Sequence, residues 1–201
     1  MSIYKQFIAV AAVALLLIAS SSADAQGRAK LKGGKKNADG GVTAVQGSAA
    51  AGAGGGAAAR GRLTQTDGQG NASTTSGAAV RGPNGGFGGR AGQTTTNADG
   101  SVSQQSGAAA STAKGSGSTS GGFTRGADGS IAGGRSTNAT GASGGRFNSD
   151  TSYATGQGAQ HNTSATGAAG NTYQGETSAQ QGQGVNHTRT CTDSQGEPLD
   201  C

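Results

Sequence analysis

Past residue 26 the chain contains no apolar run. Single apolar residues are set among Thr, Ser, Gln and Gly, and several follow a polar corner at a constant offset: Val42 after Asp39-Gly40, Val102 after Asp99-Gly100 and Ile131 after Asp128-Gly129. The runs flanking such corners favour strands. Residues 62–66 and 71–75 bracket Asp67-Gly68, residues 93–96 and 101–106 bracket Asp99-Gly100, and Phe123-Thr124-Arg125 and Ser130-Ile131 bracket Asp128-Gly129. Thr, Val and Ile fit a pleated surface. Asp-Gly signals a hairpin, Gly because it takes positive φ freely and Asp because it tolerates it. The pattern predicts short hairpins with one thin apolar stripe each. The corner aspartates Asp39, Asp67, Asp99 and Asp128 are 28, 32 and 29 residues apart, which makes a degenerate repeat of roughly thirty residues.

Residues 1–25 break this pattern. Lys5 is followed by an unbroken apolar stretch over residues 7–19, then by small polar residues ending Ala23-Asp24-Ala25. A positive start, a short apolar segment and an A-x-A site predict a helical secretory signal peptide cut after Ala25. The stretch is shorter than the ~20 residues that span a bilayer. The chain then divides into the signal (1–25), a basic arm with a Gly/Ala-rich low-complexity tract (26–62), degenerate Asp-Gly hairpin repeats (63–147) and variant repeats with a C-terminal disulfide hairpin (148–201).

Composition sharpens the fold class. Gly supplies 41 of 201 residues, aromatics 3%, and there is no Trp. Past Ala25 only twelve Val, Ile, Leu and Phe residues occur, far below the roughly 20% of chains that bury a core. Ordering costs about 1–2 kcal/mol of backbone entropy per residue, and apolar burial at about 25 cal/mol per Å² does not offset that here. Either much of the chain is disordered, or backbone hydrogen bonding and close stacking of small side chains replace a core. The expected fold is all-β: repetitive short hairpins in a solenoid-like or cross-β stack, with long irregular or disordered Gly-rich segments.

Charge adds a partner class. Arg28, Lys30, Lys32, Lys35 and Lys36 crowd into nine residues, and the rest of the mature chain carries nine charges of each sign. A basic arm holds anionic surfaces such as lipopolysaccharide, acidic polysaccharide, extracellular DNA or lipid headgroups. No aromatic residue is interleaved to stack on bases. Residues 49–59, AAAGAGGGAAA, read as a flexible linker or a close-packing segment.

Candidate chemistry is sparse. Cys191 and Cys201, in an exported chain, imply a disulfide; a hairpin centred on Gly196 sets them opposite each other. Residues 141–145, GASGG, match G-x-S-x-G, but a nucleophile elbow needs a buried strand before it and a helix after it. His161 and His187 are the only histidines and have no metal-ligand spacing. No cofactor and no enzymatic activity is expected.

From Asp39 onward the chain resembles uncharacterised Gly/Ser/Thr-rich exported repeat proteins of Gram-negative bacteria. In composition, signal peptide and Asp-Gly corners it is similar to secreted functional amyloid subunits of the curli type. It departs from them in that Gln104, Gln105, Gln157 and Gln183 keep no common register. The resemblance implies stacked β repeats and self-association. The sequence thus points to a secreted, periplasmic or cell-surface structural protein. The alternatives are a disordered surface-coating protein, or an ice- or polysaccharide-binding module presenting Thr rows such as residues 94–96.

Overall fold

The computed structural model describes residues 27–201; the signal peptide read over residues 1–25 lies outside them. The described chain is all-β, and its strands follow one another with short turns between. They are β1 (Gly27–Lys36), β2 (Val42–Ala51), β3 (Ala57–Thr66), β4 (Ala72–Arg81), β5 (Phe87–Thr96), β6 (Val102–Thr112), β7 (Gly115–Arg125), β8 (Ile131–Gly141), β9 (Arg146–Ala154), β10 (Gly158–Thr166), β11 (Thr172–Gln180), β12 (Gly184–Thr192) and β13 (Pro198–Leu199). The described chain falls into two compact units that divide between Ala110 and Ser111, and the last two residues of β6 belong to the second.

Each unit is an open antiparallel meander in which a strand pairs with its predecessor and its successor. The hairpins therefore lie side by side within a layer, neither coiled as a solenoid nor stacked as cross-β sheets. The Gly-Ala tract at residues 49–59 is ordered: it forms the end of β2, a turn and the start of β3. The basic arm is likewise a strand, β1, paired along its whole length with β2.

Turn chemistry explains this regularity. The corner at residues 97–101 is typical: the Asn97 amide donates to the Ser101 carbonyl at 2.9 Å and the Gly100 amide to the Asn97 carbonyl at 2.9 Å. This is a type I turn closed by a glycine of positive φ, here +83°. Among the described residues no non-glycine has positive φ. The aspartate's role therefore differs from the one its tolerance of positive φ suggests. Asp99 instead accepts from the Ser101 amide at 2.9 Å and the Ser101 hydroxyl at 2.7 Å.

Positive-φ glycines stand at Gly40, Gly55, Gly70, Gly85, Gly100 and Gly115, each fifteen residues after the last. The structural unit is thus one strand and one turn, half the length that the aspartates suggest. Because strand direction alternates, every second turn lies at the same end of its meander. In the first unit Asp39, Asp67 and Asp99 share one end, while the other end is closed by the neutral turns at residues 52–56 and 82–86.

There is no packed core. Among the described residues only Gly41, Ala59 and Thr75 are buried, the last two each 5% exposed. Val42, Phe87 and Ile131 stay exposed, so the apolar stripes do not build an interior. What holds the strands is the backbone ladder, each bond contributing about 0.5–1.5 kcal/mol net, and cross-strand pairs on each face.

Candidate functional site: a cationic sheet face

Register decides which side chains share a face. In β1, Arg28, Lys30, Lys32 and Lys36 point one way and Leu31 and Lys35 the other, because alternate residues face opposite sides. Following the pairings through β2, β3, β4 and β5 brings Arg60, Arg62 and Arg90 to the face that carries Lys30. One row across the strands reads Lys30–Ser48–Arg60–Ala78–Arg90, and the next reads Lys32–Gln46–Arg62–Ser76–Gly92. Seven cations thus occupy this face of β1–β5, while the opposite face has only Lys35 and Arg81. All seven are exposed.

No carboxylate lies on β1–β6; the acidic residues of the described first unit are Asp39, Asp67 and Asp99, all in turns. The first unit therefore separates its charges by place. Cations sit on the strands, and aspartates sit at one end, engaged by the turns they close. Hydrogen bonds hold two of these carboxylates, Asp67 and Asp99, below their ordinary pKa. Asp67 accepts from the Asn71 side chain and the Gln69 amide, and Asp99 from the Ser101 hydroxyl and amide. In the second unit Asp128 does the same with Ser130. An aspartate satisfied within its own turn is a poor local partner for the cations on the strands.

Within a row the cations lie two strands apart, about 9.5 Å at the usual strand spacing, and neighbouring rows are about 6.8 Å apart along a strand. Between them stand small or uncharged side chains. The Arg60 Nε donates to the Ser48 hydroxyl at 3.0 Å. Beyond the Lys32 row, Thr64, Thr74 and Thr94 form a third row on the same face, with the Thr64 and Thr74 hydroxyls 3.1 Å apart. The Thr rows of this sheet thus run across strands, not along residues 94–96.

The five arm residues do not share one face: Arg28, Lys30, Lys32 and Lys36 are together and Lys35 is apart. Arg60, Arg62 and Arg90 were missed because the repeat body is neutral in sum. The signal was present, since Lys30, Arg60 and Arg90 are thirty residues apart, two strand-and-turn units.

The remaining candidates lie in the second unit. Cys191 and Cys201 come to disulfide distance, with Cα atoms 5.5 Å apart. The register differs from a hairpin centred on Gly196: Cys191 pairs with Leu199, and Cys201 lies two residues further on. The reason is the shared turn template, in which the positive-φ glycine stands fourth of five residues (193–197), one place past the centre. The G-x-S-x-G match at residues 141–145 is another such turn. His161 and His187 fall in one row, with Thr151 and Thr177 bound to their Nδ1 atoms at 2.8 Å each. Among the described residues no group of His, Cys, Asp and Glu is placed to hold a metal. A shallow depression of about 320 Å³ is lined by polar side chains including Asp150, Asn162 and Glu176. No helix in the described chain is long and apolar enough to cross a membrane.

Comparison with protein-family models, with characterised proteins and with solved structures found no match to the chain.

Proposed function

We infer that this is an exported, non-enzymatic structural protein of the cell surface or extracellular matrix, held to an anionic surface by one face of its first meander. The observation that carries the reading is the one-sided display of seven cations on β1–β5, with every carboxylate of the described first unit kept in a turn. Strands that spend their residues on backbone pairing, with two buried side chains, form a scaffold for presenting a surface. The signal-like segment at residues 1–25 supports export.

The self-association implied by curli-type repeats finds little support at β1. An edge strand that carries Lys30, Lys32, Lys35 and Lys36 resists pairing with a second copy, because lysines along an edge repel an approaching strand. The Thr64–Thr74–Thr94 row, half-buried at Thr64 and Thr74 and exposed at Thr94, favours the polysaccharide-binding alternative and is compatible with the surface reading. Cell fractionation, with salt extraction of the bound fraction, tests the proposal. Protein released from the cell envelope by raised salt supports it; protein confined to the cytosol ends it.

A further inference from the structure

We propose that the cationic face of β1–β5 is a track for a linear acidic polysaccharide in which charged and uncharged sugars alternate, the polymer lying across the strands. This rests on the anionic-surface reading above and names its partner.

The periodicity carries the inference. A polymer crossing the strands meets a cation, a small uncharged residue, a cation and again an uncharged residue: Lys30, Ser48, Arg60, Ala78, Arg90. The adjacent row offers Lys32, Gln46, Arg62 and Ser76, with the amide of Gln46 and the hydroxyl of Ser76 between the charges. A sugar ring with its linkage spans roughly one strand spacing of about 4.8 Å, so every second ring falls beside a cation. The hydroxyls of Thr64, Thr74 and Thr94 flank the track and suit the hydroxyl groups of sugars. No aromatic or branched apolar side chain obstructs it, since Ser48, Ala78, Gln46 and Ser76 fill the intervening places.

Nucleic acid fits this face less well. Duplex DNA carries a charge every ~1.7 Å of its axis, far denser than one cation every ~9.5 Å in each row. Single strands are held by stacking on aromatic rings. The one aromatic residue of β1–β5 is Phe87, and it pairs in the row of Arg81 on the opposite face.

The test uses the full chain and labelled hyaluronan, a glucuronate polymer with an uncharged amide sugar at every second place. Polygalacturonate and duplex DNA serve as competitors over a range of salt. Hyaluronan is expected to stay bound at salt concentrations that release both competitors. The double substitution Arg60→Gln/Arg90→Gln is expected to weaken binding roughly tenfold at low salt. Lys35→Gln/Arg81→Gln removes the same charge from the other face and is expected to leave binding unchanged. Thermal melts of both variants check that the fold is kept. Equal loss from the two pairs would show that net charge alone acts and would overturn the track, leaving the anionic-surface reading standing. Tighter binding of DNA or polygalacturonate at matched salt would also overturn it. Failure of every polyanion to bind at low salt would end both readings.

Discussion

Arg60 and Ser48 face each other across β2 and β3, and the Arg60 Nε donates to the Ser48 hydroxyl at 3.0 Å. The bond leans the guanidinium toward the neighbouring strand without burying it, since Arg60 remains exposed. An exposed hydrogen bond of this kind contributes little to folding. Ser48→Ala and Arg60→Gln are each expected to change stability by less than about 0.5 kcal/mol in urea denaturation. A larger loss would mean that the cationic face is structural and not a display.

The turn aspartates make stability depend on acid. Asp67, Asp99 and Asp128 are held below their ordinary pKa by hydrogen bonds, first from the side chains of Asn71, Ser101 and Ser130. The unfolded chain binds protons first as pH falls, so stability rises with pH through this range. Their contribution is present above the unfolded value of about 3.9 and is lost as pH drops through the lower folded values. Melting temperature is expected to be flat from pH 5 upward on this account and to fall below about pH 4. Asp99→Asn should lessen that fall. A melting temperature that rises on acidification would refute the assignment.

Gly133 stands between Phe123 and Tyr153 in one row of β7, β8 and β9. A Cβ built there would approach the Tyr153 hydroxyl to 2.6 Å, the Phe123 Cβ to 2.8 Å and the Gly122 carbonyl to 2.6 Å. Gly133→Ala is expected to cost about 1–3 kcal/mol through overpacking. Adding Tyr153→Ala should restore only part, because the Gly122 carbonyl remains in the way. Chemical denaturation of the single and double variants reads this directly.

Gly100→Ala should also destabilise, for a different reason. No atom lies within 4 Å of a Cβ at Gly100, but its φ is +83°. The cost is backbone strain alone, about 1–2 kcal/mol. No change in chromatographic size is expected, whereas a turn that failed to close would expand the chain.

Reduction of Cys191–Cys201 should loosen only the last hairpin. β13 is two residues long and pairs only with Cys191 and Thr192. The disulfide closes a loop of ten residues, which limits its contribution to about 2–3 kcal/mol. Amide exchange is expected to quicken in β13 and the end of β12 while β7–β11 keep their protection. Uniform loss of protection would show that the disulfide holds the whole second unit.

Of the twelve turns that join the described strands, four were legible as Asp-Gly corners and a fifth from the paired cysteines; the others were not. Asp-Gly at 39–40, 67–68, 99–100 and 128–129 marks its corner because Asp and Gly have separate tasks there, one accepting bonds and the other taking positive φ. The turns at 52–56 and 82–86 need only the glycine in fourth place and tolerate Ala, Pro or Asn elsewhere, so they blend into a Gly-rich chain. The arm was found by its charge density, but its face was not. Which of Lys35 and Lys36 joins Lys30 depends on parity along β1, and whether Arg60 joins them depends on the five-residue turns between strands. The Cys191 pairing missed by two residues for the same reason, the glycine at 196 standing one place past the centre of its turn.

The fifteen-residue strand and turn has a consequence for how such a gene can change length. Losing one unit would reverse the direction of every later strand and carry the turns that follow to the opposite end. Losing or gaining two restores direction, end and parity together, so that a residue at position i is replaced by its counterpart at i+30, as Lys30, Arg60 and Arg90 already are. Copy number should therefore vary by whole hairpins, each duplication lengthening the charged ladder by one rung.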